Sequence, residues 1–246
     1  MSLEFTKMQG LGNDFIVVEG PMDLTADDVA TLCDRRFGIG ADGVLVLEPG
    51  DDVAMEYRNA DGSAAEMCGN GLRCAARYAY DRGWVGTPEF VVETAVGPRR
   101  VRVGDGMVEA ELGPIRVTGE AAHDGHRLTL VEVGNPHAVV FVDDPLQVDV
   151  SRLGSSIESG FPGGLNVEFV HVAPDGLAMR VWERGVGETM ACGTGMAAAV
   201  AAARQEDGRA VRVTVPGGTG SVTIRDGVAW ITGPAEYSFR GSVAGR

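Results

Sequence analysis

The stretch Cys68-Gly-Asn-Gly-Leu-Arg-Cys-Ala-Ala-Arg-Tyr-Ala-Tyr-Asp-Arg82 determines the fold prediction, because its pattern returns at Cys192-Gly-Thr-Gly-Met-Ala-Ala-Ala-Val-Ala-Ala-Ala-Arg-Gln205. In both places a Cys-Gly-x-Gly motif precedes an apolar, alanine-rich segment of helical length. The second segment is apolar on almost every side, which predicts a fully buried helix. We therefore predict buried helices at 72–82 and 196–205, each with a cysteine shortly before its start.

The repeated motifs divide the chain into two halves of similar length. Met55 and Met179 each precede their Cys-Gly-x-Gly motif by 13 residues, and the two copies are offset by 124 residues. A second match, of Gly12-Asn13 with Gly134-Asn135, has an offset of 122, and half of the 246-residue chain is 123. Chance agreement between short motifs stays open as an alternative, because the chain has 36 glycines.

Two related halves predict two domains. We place the first at 1–115, with Cys68, and the second at 116–246, with Cys192. The boundary falls in the Gly- and Pro-containing stretch near 113–126. A last strand, at about 234–243, is free to cross back to the first half.

Short valine-rich runs bounded by Gly, Pro or Asp make up most of the remaining chain, which predicts a strand-rich α/β protein of the α+β type. The first half has such runs at 3–8, 14–19, 43–48, 53–58, 89–94, 99–103 and 107–112. The second half has them at 127–133, 137–142, 166–172, 177–182, 210–215, 221–225 and 228–232. Two further helices are predicted, at 25–36 with Thr25 as the N-cap and at about 149–158.

The composition excludes several classes of protein. The chain is 44% hydrophobic and 23% charged, as globular proteins are, and its formal net charge is −14. With 35 acidic and 21 basic residues, no basic face for a nucleic acid is visible. The only lysine, Lys7, lies in the first predicted strand, so we expect no pyridoxal phosphate Schiff base and no other cofactor.

Neither a signal peptide nor a membrane span is expected. The first residues lack an apolar core, and no apolar run reaches about 18 residues. We therefore predict a cytoplasmic protein with no membrane partner, whose cysteines are reduced. Cys33, Cys68, Cys74 and Cys192 are separated by 35, 6 and 118 residues, without a C-x₂-C pair, so we expect no metal site.

Cys68 and Cys192 lie in a setting that favours a reactive thiol. A helix N-terminus carries unpaired N–H groups and a partial positive charge, which lower the pKa of a thiol and attract an anion. The Gly-x-Gly backbone lets a carboxylate approach those N–H groups closely. A thiolate on one face of an α-carbon and a thiol on the other could invert the stereocentre by proton transfer, without a cofactor.

The sequence resembles the diaminopimelate epimerase family over essentially its whole length. The matching segments are Gly12-Asn-Asp-Phe15, Asn59-Ala-Asp-Gly-Ser63, Met67-Cys-Gly-Asn-Gly-Leu-Arg73, Gly134-Asn-Pro-His137, Asn166-Val-Glu168, Trp182-Glu-Arg-Gly185 and Gly187-Glu-Thr-Met-Ala-Cys-Gly-Thr-Gly195. The resemblance implies two pseudo-symmetric domains, each a mostly antiparallel sheet wrapped around a central buried helix, with the active site between them. It also implies an isomerase that interconverts LL- and meso-2,6-diaminopimelate in lysine and peptidoglycan synthesis, acting as a homodimer on this small-molecule substrate.

Carried over by position, the resemblance implies a role for each residue of the site. Cys68 and Cys192 would be the two bases, and His137 and Glu183 would flank the reacting centre. The α-carboxylate would bind the backbone N–H groups of Gly69, Asn70, Gly193 and Thr194. The rest of the substrate would be held by Asn13, Asn59, Asn135, Asn166, Glu183 and Arg184. One position departs from the family, which often has a substrate-contacting Gln where this chain has Gly43.

Other interpretations stay open. His137 could be a structural histidine, Asn13 and Asn135 could be turn residues, and Glu183 with Arg184 could form an exposed ion pair. Proline or hydroxyproline racemases of the same fold also use two facing cysteines, although the Asn residues and Arg184 favour a substrate with a second charged end. A protein of another class, a non-catalytic amino-acid-binding protein or a thiol redox switch, would carry out no proton transfer.

Overall fold

The structure is a computed structural model that describes residues 2–64, 67–204 and 207–244. The chain folds into two compact units. The first unit consists of residues 1–110 together with 234–246, and the second of residues 111–233. The chain therefore leaves the first unit once and returns to it for its last residues.

Strands outnumber helices throughout the described residues. The first part of the chain contains β1 (Ser2–Gly10), β2 (Asn13–Glu19), α1 (Ala26–Cys33), β3 (Gly43–Glu48), β4 (Val53–Asn59), α2 (Gly69–Asp81), β5 (Glu89–Thr94), β6 (Gly97–Gly104) and β7 (Met107–Pro114). It is followed by β8 (Arg116–His123), β9 (His126–Glu132), β10 (Pro136–Phe141), a 3₁₀ turn (Pro145–Gln147), α3 (Val150–Ser159), β11 (Asn166–Ala173), β12 (Gly176–Glu183), β13 (Gly187–Thr189), α4 (Gly193–Ala202), β14 (Val211–Val215), β15 (Gly218–Arg225), β16 (Val228–Pro234) and β17 (Glu236–Ala244).

In the first unit the strands pair in the order β17–β1–β2–β3–β4–β5–β6–β7. The pairs β2–β3 and β4–β5 are parallel, and the others are antiparallel. Parallel neighbours need a crossover connection, which α1 and α2 supply. Because α2 packs against β1, β2, β3, β4 and β6, the sheet wraps around this helix.

The second unit repeats this arrangement. Its strands pair in the order β8–β9–β10–β11–β12–β14–β15–β16, with β13 beside β12. The parallel pairs are β10–β11 and β12–β14, with α3 and α4 as crossovers, and α4 packs against β8 to β12 and β15. The prediction of a two-domain α+β fold, with mostly antiparallel strands around a central helix, is confirmed.

The strand register identifies corresponding positions in the two units. Phe15 of β2 pairs with Gly43 of β3, and His137 of β10 pairs with Asn166 of β11. Position 15 therefore corresponds to 137, and position 43 corresponds to 166. Two residues further along the second strand of each pair, position 45 corresponds to 168.

The two central helices begin where the cysteines are. Cys68 is the N-cap of α2 and Cys192 is the N-cap of α4, so each helix starts three residues earlier than the predicted 72 and 196. α2 ends one residue before the predicted 82, and α4 ends at Ala202. The predicted end at 205 lies outside the described residues. α4 is buried on nearly all sides, as its composition predicts.

The two outer helices also have capped starts. Thr25 caps α1 as predicted, in a capping box with Asp28, and Asp149 caps α3. α1 ends at Cys33 rather than at 36. The reason is local, because Asp34 Oδ1 accepts hydrogen bonds at 2.7 Å from the backbone N–H groups two and three residues later, which turns the chain.

Two segments near the predicted boundary are strands. The stretch 113–126 contains β8, which pairs with β9 through a register shift between Val117 and Gly119. The last strand, predicted at about 234–243, is β17, and it pairs with β1 in the first unit with Ala244 opposite Ser2. Across the three described ranges, the helices are all too short or too polar to cross a membrane.

Candidate active site

Cys68 lies at the start of the central helix of the first unit. Its backbone is extended, with φ −135° and ψ 114°, and the N–H of Gly71 donates a hydrogen bond to its Sγ at 3.4 Å. The thiol in turn donates to Asn13 Oδ1 at 3.4 Å, and Asn70 Nδ2 donates to the same oxygen at 3.2 Å. The structure thus brings together three residues that the sequence assigned to the site.

Asn13 is oriented by the turn before it and by Asp42. β1 and β2 are joined by a two-residue turn in which Leu11 and Gly12 have φ values of 56° and 81°. Positive φ at both central positions matches the twist of a tight hairpin, and glycine adopts it without strain. Asn13 Nδ2 then donates to Asp42 Oδ2 at 2.6 Å, which leaves the amide oxygen facing Cys68.

A network of charges holds Asp42. Arg35 bonds to a carboxylate oxygen of both Asp14 and Asp42 at 2.7 Å. Lys7 lies 2.5 Å from Asp14 and also donates to the Gly40 carbonyl oxygen. Burial alone would raise the pKa of Asp14, but the hydrogen bonds and charges of Arg35 and Lys7 outweigh it and lower this pKa to about 2. The only lysine of the chain is therefore a buried counter-ion.

Cys192 has the corresponding place in the second unit. Its backbone has φ −120° and ψ 116°, the Gly195 N–H donates to its Sγ at 3.4 Å, and Thr194 Oγ1 lies 3.4 Å from the sulfur. Burial, followed by the negative charges of Glu183 and Glu168, raises the pKa of this thiol well above its ordinary value. The helix N-terminus therefore acts against both burial and two carboxylates at this cysteine.

Glu183 lies at the end of β12 and faces Cys192. Its Oε1 accepts a hydrogen bond from the hydroxyl of Thr189 in β13. Burial raises the pKa of Glu183, and the charge of Glu168 adds to this, while hydrogen bonds from Thr189 and Cys192 oppose it. A carboxyl group beside a thiol can exchange a proton with it, and a raised pKa favours the protonated form of that carboxyl.

His137 and Glu168 form a fully buried pair. Both side chains are 0% exposed, and His137 Nδ1 lies 2.7 Å from Glu168 Oε1. The other ring nitrogen, Nε2, lies 2.9 Å from Asn135 Oδ1. A Cβ at Gly195 would lie 2.7 Å from Glu168 Oε1, so this position requires glycine. The pair therefore packs directly against the first turn of α4, which Cys192 caps.

The remaining predicted residues are spread around these groups. Asn166 donates to the Pro136 carbonyl oxygen at 3.3 Å and accepts from the backbone N–H of Arg184 at 3.0 Å. Arg184 is exposed, and Glu183 bonds to Thr189 rather than to it, so the exposed ion pair is not formed. Asn59 is at the end of β4, where its amide donates to Ser63 Oγ at 3.0 Å.

Position 43 requires glycine in this chain. Gly43 pairs with Asn59 across β3 and β4, and a Cβ there would lie 2.4 Å from the Arg58 carbonyl oxygen and 2.5 Å from the Tyr57 ring. Tyr57 packs edge-on against Phe15, with ring centroids 5.9 Å apart. An aromatic ring thus occupies the space that a longer side chain at position 43 would enter.

Several members of these networks were not among the predicted site residues, and Asp42 and Glu168 contact predicted residues directly. Glu168 had a detectable signal, because it is an ionisable residue inside the apolar run 167–170 and such residues are buried only with a partner. Asp42 had none, since an acidic residue in a glycine-containing loop is most simply explained as a turn residue.

The two remaining cysteines, Cys33 and Cys74, are buried. This burial raises the pKa of their thiols to about 11 and about 12. They are therefore neutral near pH 7. Among the residues that the structure describes, no three His, Cys, Asp or Glu side chains are grouped as metal ligands would be.

Known proteins match this chain over most of its length. The family profile described as Diaminopimelate epimerase matches residues 5–118 and 129–238. The diaminopimelate epimerase of Thermobifida fusca is 44% identical over 269 residues, which cover 98% of each chain. A phenazine biosynthesis protein of the PhzF family from Bacillus anthracis has a TM-score of 0.78 at 14% identity, over 99% of both chains. A hydroxyproline epimerase from Agrobacterium vitis has a TM-score of 0.72 at 20% identity, over 99% of this chain and 92% of that one. These two structures share the fold.

Proposed function

Because the chain belongs to the diaminopimelate epimerase family, we propose that it interconverts LL- and meso-2,6-diaminopimelate, an isomerase step of lysine and peptidoglycan synthesis. The observation that carries this proposal is the matched pair of cysteine caps. Cys68 and Cys192 each cap the central helix of one unit with extended backbone, and each Sγ lies 3.4 Å from the N–H three residues later. Two thiols in the same local geometry suit a reaction that needs an acid and a base of the same kind.

In the proposed reaction the thiolate of one cysteine takes the α-proton, and the thiol of the other delivers a proton to the opposite face. The electron pair of the broken C–H bond stays on the α-carbon and then forms the new C–H bond. The two cysteines therefore exchange protonation states in each turnover. Proton exchange with the solvent restores them before the next substrate of the same configuration reacts, and a substrate of the opposite configuration restores them directly.

The α-proton of an amino acid is weakly acidic, so the intermediate carbanion needs electrostatic stabilisation. We propose that the backbone N–H groups at the two helix starts supply it by binding the α-carboxylate, onto which the negative charge spreads. These groups belong to Gly69, Asn70, Gly193 and Thr194.

The side chains around the cysteines fit supporting roles. Glu183 beside Cys192 and His137 on its buried Glu168 are proposed to flank the reacting centre. The exposed guanidinium of Arg184 can bind the carboxylate at the distal end of the substrate with two parallel hydrogen bonds. The amides of Asn13, Asn59, Asn135 and Asn166 are proposed to hold the remaining polar groups.

Solvent exchange tests the activity directly. Reduced protein is incubated with LL-diaminopimelate in D₂O, and the α-position is followed by proton NMR while the stereoisomers are separated by chromatography. We expect meso-diaminopimelate to form with deuterium at one α-carbon. If neither exchange nor meso product appears, the epimerase proposal fails, and binding without turnover would favour the amino-acid-binding alternative.

A racemase of proline or hydroxyproline is the second candidate from the same fold. The hydroxyproline epimerase of Agrobacterium vitis has the same fold at only 20% identity, which carries no substrate preference to this chain. Running the exchange assay with L-proline and hydroxyproline separates the two cases. Deuterium exchange into proline or hydroxyproline, with none into diaminopimelate, would show that the protein is a racemase of these substrates instead.

We also propose that the protein acts as a homodimer in the cytoplasm, as the family resemblance implies. Gel filtration with light scattering is expected to give twice the mass of one chain. A single-chain mass at every concentration tested would contradict the dimer, and recovery of the native protein in a membrane or secreted fraction would contradict the location.

A further inference from the structure

Arg73 is a buried guanidinium in α2 that has only carbonyl partners. It is 0% exposed, its Nε donates to the Pro234 carbonyl oxygen at 3.3 Å, and one terminal nitrogen donates to the Gly69 carbonyl oxygen at 3.4 Å. The other terminal nitrogen has no hydrogen-bond partner, and in the described part of the chain no carboxylate forms an ion pair with Arg73. An arginine stays protonated in proteins, so a full positive charge lies inside the first unit without a counter-ion.

This charge lies beside the first turn of α2. Side chains in a helix lean toward its N-terminus, and the bond from Arg73 to Gly69, four residues earlier, follows that direction. A Cβ at Gly10 would lie 3.1 Å from the unpartnered nitrogen, so the small residue there leaves room for the guanidinium. The same turn of α2 is capped by Cys68. Burial lowers the pKa of the Arg73 guanidinium, and negative charge on Cys74 or Cys68 would oppose this shift.

The second unit has the opposite arrangement of charge. The residue five positions after Cys192 is Ala197, where the first unit has Arg73 five positions after Cys68. The third residue of each helix is a glycine, Gly71 in α2 and Gly195 in α4. A Cβ at Gly195 would lie 2.7 Å from Glu168 Oε1, and a Cβ at Gly71 would lie 3.2 Å from the Leu45 side chain. A buried cation therefore lies by one helix start and a buried carboxylate by the other.

We propose that Arg73 is a positioning residue that favours the thiolate of Cys68, so that in the ligand-free protein Cys68 is the base and Cys192 is the acid. This assignment rests on the proposed two-base function. The guanidinium adds a whole charge to the partial charge of the helix N-terminus, and inside a protein such a charge is only weakly screened. At Cys192 burial and two carboxylates favour the thiol instead.

Among the hydrogen bonds of the described residues, the one that Asn13 Oδ1 accepts from the Cys68 thiol acts against the thiolate. An amide oxygen carries a partial charge, and its dipole falls off faster with distance than the full charge of Arg73. Cys74 is neutral. The strands packed against α2 also carry Glu4 at the start of β1, Glu48 at the end of β3 and Arg102 of β6, which is paired with Glu109. Other ionisable side chains in this region have partners of their own. These partners are Lys7 with Asp14, Asp42 with Arg35, Glu19 with Arg82, Glu56 with Arg58, Arg77 with Asp81, and Arg99 with the Pro98 carbonyl oxygen.

Alkylation of the two thiols tests this proposal without any turnover. Reduced, ligand-free protein is treated with iodoacetamide over a range of pH, and modification of each cysteine is followed by mass spectrometry of its peptide. The pH midpoint is compared rather than the rate, because restricted access slows alkylation by the same factor at every pH. We expect the pH midpoint for alkylation of Cys68 to lie below about 8.5, which is the pKa of an ordinary cysteine thiol, and below the midpoint of Cys192.

Arg73→Met removes the charge and keeps the apolar stem. In this variant we expect the midpoint of Cys68 to rise by at least about one pH unit, which leaves about tenfold less thiolate below the midpoint, while Cys192 is unchanged. Arg77→Met is the matched control, because Arg77 lies one turn later in α2 and is paired with Asp81, and it should move neither midpoint.

An unchanged Cys68 midpoint in folded Arg73→Met protein overturns the proposal. If Arg73→Met does not fold, the midpoints of the unmodified protein still test the proposal. A Cys68 midpoint at or above that of an ordinary cysteine, or above that of Cys192, also overturns it. A protein that epimerises diaminopimelate with equal midpoints would refute the role of Arg73 alone and leave the proposed function intact.

Discussion

The buried pair of His137 and Glu168 can be tested against its apolar counterpart in the same chain. By strand register Phe15 and Leu45 of the first unit correspond to His137 and Glu168, and all four side chains are buried to about 99% or more. The double variant His137→Phe/Glu168→Leu therefore introduces the same two apolar side chains that the corresponding sheet of the first unit already packs around its central helix.

The two single variants are expected to be costly, because each leaves one polar partner buried alone. Glu168→Leu removes the acceptor 2.7 Å from His137 Nδ1, and His137→Phe leaves a carboxylate whose second oxygen already lacks a partner. Leaving one ionisable side chain of a buried hydrogen-bonded pair without its partner in this way costs about 3–5 kcal/mol of unfolding free energy. The double variant replaces both groups by apolar ones and should cost less than about 2 kcal/mol. The coupling free energy is therefore expected to be at least about 3 kcal/mol.

Urea unfolding at pH 7 gives the four free energies of this cycle, provided that the m-values agree among the variants. The exposed pair of Glu120 and Arg127, whose nitrogen and oxygens are 2.7 Å apart, is the matched control, with an expected coupling below about 1 kcal/mol. Additive effects of His137→Phe and Glu168→Leu, within about 0.5 kcal/mol, would refute the conclusion that the two residues act as one buried unit. We expect the folded double variant to lose epimerase activity, because His137 is proposed to flank the reacting centre.

Three further predictions concern the first unit and the two thiols. The pKa of Asp14 is held at about 2, so its carboxylate contributes at most about 2 kcal/mol of stability above about pH 4, and this contribution is lost as the pH falls toward 2. The loss of unfolding free energy in Asp14→Asn should shrink across that window, and a difference that stays constant from pH 5 to pH 2 would contradict the ion-pair network. Gly43→Gln should destabilise the protein by about 1–3 kcal/mol, because its Cβ meets the Arg58 carbonyl oxygen and the Tyr57 ring, whereas Gly86→Gln, where a Cβ meets nothing within 4 Å, should change stability little in the same urea assay. Equal effects of the two substitutions would count against the crowding at position 43. Cys68→Ala and Cys192→Ala should each lower the epimerisation rate at least about 100-fold, since each cysteine is needed once per turnover, and near-normal turnover by either variant would exclude the two-base scheme.

The repeated fold could be predicted from the sequence because the two features that indicate it are both local. The Cys-Gly-x-Gly motifs and the alanine-rich segments after them identify α2 and α4, and a small-residue helix that is apolar on all sides must be surrounded by other elements. The stretch 113–126 was predicted as a domain boundary because it contains Gly and Pro, and the pairing of β8 with β9 makes most of it a strand.

The candidate site was predictable where one side chain carries the chemistry and not where two distant residues meet. Cys68, Asn13 and Asn70 were identified from their motifs, and the structure joins them by hydrogen bonds. The apolar run around Glu168 indicates that this residue is buried with a partner, but the identity of the partner depends on which strands become neighbours, so the contact with His137 could not be predicted from either segment. The requirement for glycine at position 43 likewise comes from an adjacent strand.

The fate of the α-proton tests the two-base account most directly. LL-diaminopimelate is converted in D₂O by the reduced protein, and the first samples, taken before the reverse reaction contributes, are separated into the two stereoisomers and analysed by mass spectrometry. If one cysteine removes the proton and the other delivers a solvent-derived deuteron, the meso product carries one deuterium and the unreacted LL substrate carries none. Deuterium appearing equally fast in the recovered LL substrate would mean that a single base serves both faces, and would contradict the account.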